Sequence, residues 1–160
     1  MKASNLRIWV SILIVCAFLA GRNVYAQNGI TFQAVSTKIV TTVEGVNGQS
    51  VTWENAESAK GLIVKVKVTV PKDTTLWDTD FDIAYHHKNS IEDRGMCRAI
   101  TTLVSSPGDD GAWIVGNYSH VTAKEGTRYF KLLFPIENDV TSFSLQFTHQ
   151  VVKEISVNRD

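Results

Sequence analysis

The chain has 160 residues, the length of a single domain, with 16 Lys and Arg against 16 Asp and Glu and only two cysteines. A balanced charge leaves no basic surplus to hold a polyanion, so a dedicated nucleic-acid binder is excluded, as is a disulfide scaffold. The length is too short for a large doubly wound enzyme or an eight-unit barrel, and a 44% hydrophobic, 9% aromatic composition excludes disorder.

The first 26 residues read as a cleaved signal peptide. Lys2 and Arg7 precede an apolar run from Ile8 to Ala20, and Val24 and Ala26 supply small residues before a cut at Gln27. A membrane span needs about 20 apolar residues. The run from Ile8 to Ala20 is shorter, so no permanent span is expected. Cys16 is preceded by Leu13, Ile14 and Val15, which lack the small residues expected beside a lipidated cysteine. Removing this segment takes away Lys2, Arg7 and Arg22 but no acid, leaving 13 basic against 16 acidic side chains, a net charge of −3. Cys97 is then the single thiol. The expected location is extracytoplasmic, periplasmic or secreted.

Residues 27–160 alternate with a period of two, the mark of strands covered on one face. Ile30 to Val43 forms one strand or two short ones, and Asn47-Gly48 is a tight-turn signal that pairs it with Ser50 to Trp53. No window of a dozen residues keeps a helical stripe; the best, WENAESAK from Trp53 to Lys60, is two turns at most with little to bury. In GLIVKVKVTV, Leu62, Val64, Val66, Val68 and Val70 share one face, with Ile63, Lys65, Lys67 and Thr69 on the other, until Pro71 stops the strand.

Phe81, Ile83 and Tyr85 then alternate with Asp80, Asp82 and His86, and CRAITTLV follows a polar turn from Lys88 to Gly95. Ser105 to Gly111 is a turn, AWIV at 112–115 a strand, Lys124 to Thr127 another turn, and RYFKLLF at 128–134 a strand ending at Pro135. SFSLQF places Phe143, Leu145 and Phe147 on one face, and VVKEISV closes the chain. Seven to nine strands near twelve-residue spacing, divided by Gly, Pro, Asn and Asp, predict an all-β fold, an Ig-like antiparallel β-sandwich, with 27–160 as one domain.

The order GLIVKVKVTV from Gly61, DFDIAY from Asp80, RYFKLLFPI from Arg128 and then SFSLQF resembles an exported bacterial Ig-like family, the DUF4352 or telomeric-repeat-factor-like immunoprotective β-sandwich. The similarity spans roughly residues 30 to 150; YHHKNSIEDRGMCRAITT has no counterpart in it. It implies an extracytoplasmic, non-catalytic domain that meets other proteins or envelope components.

Reaction machinery is thin. No G-x-S-x-G elbow occurs, Cys97 has no specified base, and His86, His87, His120 and His149 have no ligand spacing. No catalytic residue or obligatory cofactor is therefore expected. Calcium is the one metal with a pattern: Asp78, Asp80 and Asp82, two apart on an extended chain, place three carboxylates on one face. The helix-loop-helix calcium loop is excluded, because Ile83 and Asn89 stand at its Gly and Glu positions. The bland reading is a solvated face that discourages edge pairing.

For ligand binding, Trp53 and Trp77 near strand ends are the candidates, tryptophan being a flat surface suited to interfaces and sugar rings. Trp113, flanked by strand residues, belongs to the core, as do Phe81, Phe130, Phe134, Phe143 and Phe147, and Leu103 and Ala99 beside Cys97 favour its burial. Asn117-Tyr118-Ser119 fits a glycosylation acceptor and marks an exposed turn. The expected function is an exported, non-enzymatic sandwich that binds a protein or cell-envelope partner. Two alternatives stand beside it: a carbohydrate or cell-wall binding module, calcium-stabilised, and a small hydrolase built on Cys97 or convergent histidines.

Overall fold

The computed structural model describes residues 25–53, 59–86, 92–116, 118–148 and 150–156. The expected signal peptide through residue 24, the WENAESAK segment from 54 to 58, His87, Asn89, Asn117 and His149 lie outside the described residues. No helix among the described residues is long and apolar enough to cross a membrane.

The chain forms β1 (Tyr25–Gln27), β2 (Ile30–Val40), β3 (Thr42–Glu44), β4 (Ser50–Thr52), β5 (Ala59–Val70), β6 (Thr74–Trp77) and β7 (Phe81–His86). It continues through β8 (Glu92–Met96), β9 (Ala99–Thr101), β10 (Trp113–Val115), β11 (His120–Ala123), β12 (Gly126–Glu137), β13 (Ser142–Phe147) and β14 (Gln150–Ser156). A six-stranded sheet runs β1-β2-β5-β12-β9-β10 and a four-stranded sheet β14-β13-β7-β8, with two-stranded pairs β6–β11 and β3–β4. Every registered strand pair is antiparallel.

The alternation in β5 decides how the two sheets meet. Leu62, Val64, Val66, Val68 and Val70 are sealed from solvent, and they share a core with Phe81, Ile83 and Tyr85 of β7 and Phe143, Leu145 and Phe147 of β13. One apolar face of each sheet therefore covers the other, which makes the fold an antiparallel β-sandwich. Phe32, Phe81, Phe130 and Phe147 form its aromatic centre, with Phe32 and Phe81 edge-to-face at 5.7 Å. Burying one such side chain contributes roughly 1.5–3 kcal/mol.

The described strands number fourteen rather than seven to nine. The excess comes from short strands such as β6 and β11, which carry too few alternating residues to register as periodicity, and from β8, which occupies the second half of the segment expected to be a polar turn. β9 lies within the expected CRAITTLV strand, and its Ala99, Ile100 and Thr101 are buried on both faces. In β2 a register shift between Ala34 and Ser36 marks a bulge and turns Val35 outward, 47% exposed.

Pro135 does not end its strand; β12 runs on to Glu137. Arg98 N–H donates to the Leu133 carbonyl, and Lys131 N–H to Thr101 Oγ1, so the odd-numbered residues of β12 turn their backbone groups toward β9. β9 registers only with Leu132 and Leu133. The N–H that proline lacks would point past the end of β9, where no ladder needs it, and Pro135 still pairs with Gly61 in register.

A second, smaller core lies on the outer face of the six-stranded sheet. Val43, Ala99, Val115 and Leu133 are buried there, with Val51, Trp53, Ile63 and Trp113 packed around them. The lid of this core is the β3–β4 hairpin, whose turn is the Asn47-Gly48 pair expected from sequence, Gly48 at φ 74°. Asn47 Nδ2 donates to the Val115 carbonyl and Val46 N–H to that of Trp113, tying the hairpin to β10.

Candidate functional site

A cleft of about 780 Å³ opens between the hairpin and the end of the four-stranded sheet. Ser50, Val51 and Thr52 of β4 form one side with Trp53 beside them; Met96 at the end of β8, with Cys97 and Arg98 of the link to β9, forms another. Val115, Gly116 and Tyr118 close it along the β10–β11 connection, and Asp78, Thr79 and Pro135 complete the lining.

Around the mouth stand exposed side chains of the kind that anchor contacts. Tyr118 is 71% and Met96 59% exposed, both apolar bodies held in water. Tyr118 sits at φ 62°, a left-handed conformation that costs a bulky residue about 1–3 kcal/mol and that clusters at functional positions. Just past it, Ser119 is buried and its Oγ donates to the Gly116 carbonyl at 3.1 Å, which pins the turn.

Trp53 lines the cleft as expected of a binding residue, yet it is half-buried and packs on the second core. Trp77 does not join it. Its ring is 38% exposed and stacks on His120 at 4.4 Å, a cross-strand pair of β6 and β11. The two tryptophans therefore do not line one cleft. Trp113, placed in the core by sequence, is half-buried over the second core, with Lys131 Nζ 5.8 Å from its ring centroid.

The three aspartates are not on one extended face. Asp78 to Asp80 form a 3-10 turn, which rotates the carboxylates apart, and β7 begins only at Phe81. Asp80 folds back to accept the Trp77 N–H at 3.0 Å, and Asp82 faces Arg94 at 3.7 Å across the β7–β8 pair. Asp78 is 3% exposed; its carboxylate accepts the Thr79 N–H at 2.7 Å, while its own N–H donates to the Ser119 carbonyl. Burial pushes the Asp78 carboxyl above its ordinary value, against the lowering effect of N–H groups from Ser119 and Thr79, and Asp80 nearby adds to the rise. Among the described residues no three His, Cys, Asp or Glu gather to hold a metal.

Cys97 lines the cleft but is buried, with Sγ donating to the Ala99 carbonyl at 3.2 Å. Burial pushes its thiol up to about 12, so the thiolate a nucleophile needs is scarce at neutral pH.

Sequence reasoning missed Met96, Arg98 and Tyr118. Met96 and Arg98 fall in the stretch that follows no family pattern, and nothing local announces that they meet β4. The glycosylation-type triplet did point to an exposed turn at Tyr118, without a role for the ring.

No protein-family model matches the chain, and no curated protein matches it. Among solved structures the chain is similar to an uncharacterized β-sandwich protein of Clostridium difficile 630, at 10% identity and a TM-score of 0.48, over 78% of this chain and 82% of that one.

Proposed function

We propose that this chain is an exported, non-enzymatic β-sandwich that binds a protein or cell-envelope partner at the cleft beside the β3–β4 hairpin. The observation that carries the reading is the pairing of a preformed cleft with exposed Tyr118 and Met96 at its mouth. The signal-like start through Ala26 supports an extracytoplasmic partner. The likeness of GLIVKVKVTV, DFDIAY and RYFKLLFPI to the DUF4352 pattern supports the same class. A non-catalytic role is supported by Cys97, the nucleophile of the hydrolase reading, being buried with its thiol raised.

A second reading, a carbohydrate or cell-wall module, draws on Trp53 lining the same cleft beside Thr52, Asp78 and Arg98, an aromatic plane next to hydrogen-bonding groups. Calcium stabilisation of that module would have to draw on Asp78, Asp80 and Asp82 after rearrangement of the 3-10 turn.

The test is capture of material from the envelope fraction of the source cell by immobilised protein, compared with a Met96→Ser, Tyr118→Ser double variant. Loss of two exposed anchors is expected to weaken capture by about tenfold or more. Equal capture by both proteins would remove the cleft as the binding face.

A further inference from the structure

The cleft borders three consecutive residues of β4, Ser50, Val51 and Thr52. Successive side chains of a strand point to opposite faces, so a surface touched by three in a row is the edge of the strand. β4 has one described neighbour, β3. The ladder between them assigns the backbone groups: Trp53 N–H donates to the Thr41 carbonyl and Gly45 N–H to the Gln49 carbonyl. Those hydrogen-bonded pairs alternate with open ones, so Thr42–Thr52 and Glu44–Ser50 are open pairs. The N–H and C=O of Ser50 and Thr52 therefore point away from β3, along the cleft side of β4. Val51 instead bonds inward and packs its side chain on the second core.

The same cleft is lined by Asp78, a buried carboxyl whose hydrogen bonds come from backbone N–H groups alone. Among the described residues no ion pair reaches it, from Arg98 at the mouth or from any other cation. An open strand edge asks for backbone groups of a second strand, and a buried carboxyl without a cation asks for a positive charge.

We propose that an extended polypeptide segment adds to the open edge of β4 and lays one basic side chain into the cleft against Asp78. This rests on the cleft being the binding face. Main-chain bonds to Ser50 and Thr52 hold the segment, and the cleft selects its side chain, as in other strand-addition recognition. Trp53 offers an aromatic wall to a cation. Arg98, exposed at the mouth, disfavours a run of basic residues, so the motif contains a single one.

The test pans a phage-displayed random dodecapeptide library on the purified protein, then titrates a synthetic peptide of the selected consensus. Convergence on one Lys or Arg within β-forming residues is expected, with the amide resonances of Ser50 and Thr52 shifting on binding. Thr52→Pro removes an outward N–H without touching the bonds to β3; it is expected to weaken the peptide about tenfold while the Val43 and Val51 amides stay in place. Asp78→Asn should reduce the preference for Lys over norleucine at the basic position by about fivefold or more. No convergent peptide, or one indifferent to Thr52→Pro, overturns the proposal. If no peptide is selected while the Met96→Ser, Tyr118→Ser variant still loses capture of envelope material or polysaccharide, strand addition fails and the binding face stands.

Discussion

The Trp53 ring lies directly over Gly61: a Cβ built on Gly61 would come within 2.5 Å of the Trp53 Cζ3 atom and 2.9 Å of Cη2. Glycine at that place in β5 lets an aromatic ring from the hairpin end approach the sheet closely, and Trp53 also lines the cleft. Gly61→Ala is therefore expected to push the indole outward. The measurement is tryptophan emission, which should shift to the red, together with a loss of roughly 1–3 kcal/mol in a denaturant titration. An unchanged spectrum would mean the ring is not held by the missing Cβ.

Two carboxyls should pull stability in opposite directions with pH. Asp78 is raised by burial, so the native state holds its proton longer than the unfolded chain does, and stability from this group falls as pH rises from the ordinary value of 3.8 through the raised one. Asp78→Asn removes that titration and leaves one oxygen for the Thr79 and Ser119 N–H groups, so its melting temperature relative to the parent should climb as pH rises from 3 to 7. Asp73 is the reverse case. The Lys124 ammonium, 2.5 Å away, and the Glu125 N–H lower its carboxyl, so its contribution is present above 3.8 and is lost as pH falls through the lowered value. Melting curves of Asp78→Asn, Asp73→Asn and the parent from pH 3 to 7 should therefore diverge with opposite signs.

Cys97 is expected to be inert in the native protein. Its burial and raised thiol predict labelling by a water-soluble disulfide reagent only after unfolding, at a native rate slower by about a thousandfold or more. Rapid native labelling would reopen the idea of a reactive thiol beside the cleft.

Truncation in the shared core should separate sharply from truncation at the bulge. Leu132 is sealed between the sheets, so Leu132→Ala should cost about 2–5 kcal/mol. Val35→Ala, at the outward bulge of β2, should stay within about 0.5 kcal/mol. Urea midpoints of the two variants make the comparison; equal losses would place Val35 against something the sandwich does not supply.

Alternation in the amino-acid sequence determined which face of β5 is dry, which phenylalanines make the core, and that Asn47-Gly48 turns a hairpin, because period and turn chemistry are local properties. The strand through Pro135 was not legible, since its tolerance depends on where β9 ends. The aspartate spacing likewise suggested a shared face, but the chain turns at Asp78–Asp80 and the hydrogen bonds of that turn outweigh the extended pattern. Trp53, a candidate ligand residue from sequence, lines the cleft, whereas its burial depends on a glycine eight positions away that only strand pairing brings beneath it. The cleft itself joins β4, the β8–β9 link, the Asp78 turn and Tyr118, segments far apart in the sequence. Those segments meet because the hairpin folds over the outer face of the six-stranded sheet, and long-range packing of that kind leaves no mark in local periodicity. Tertiary structure alone decided that an open strand edge and a buried carboxyl border the same cleft.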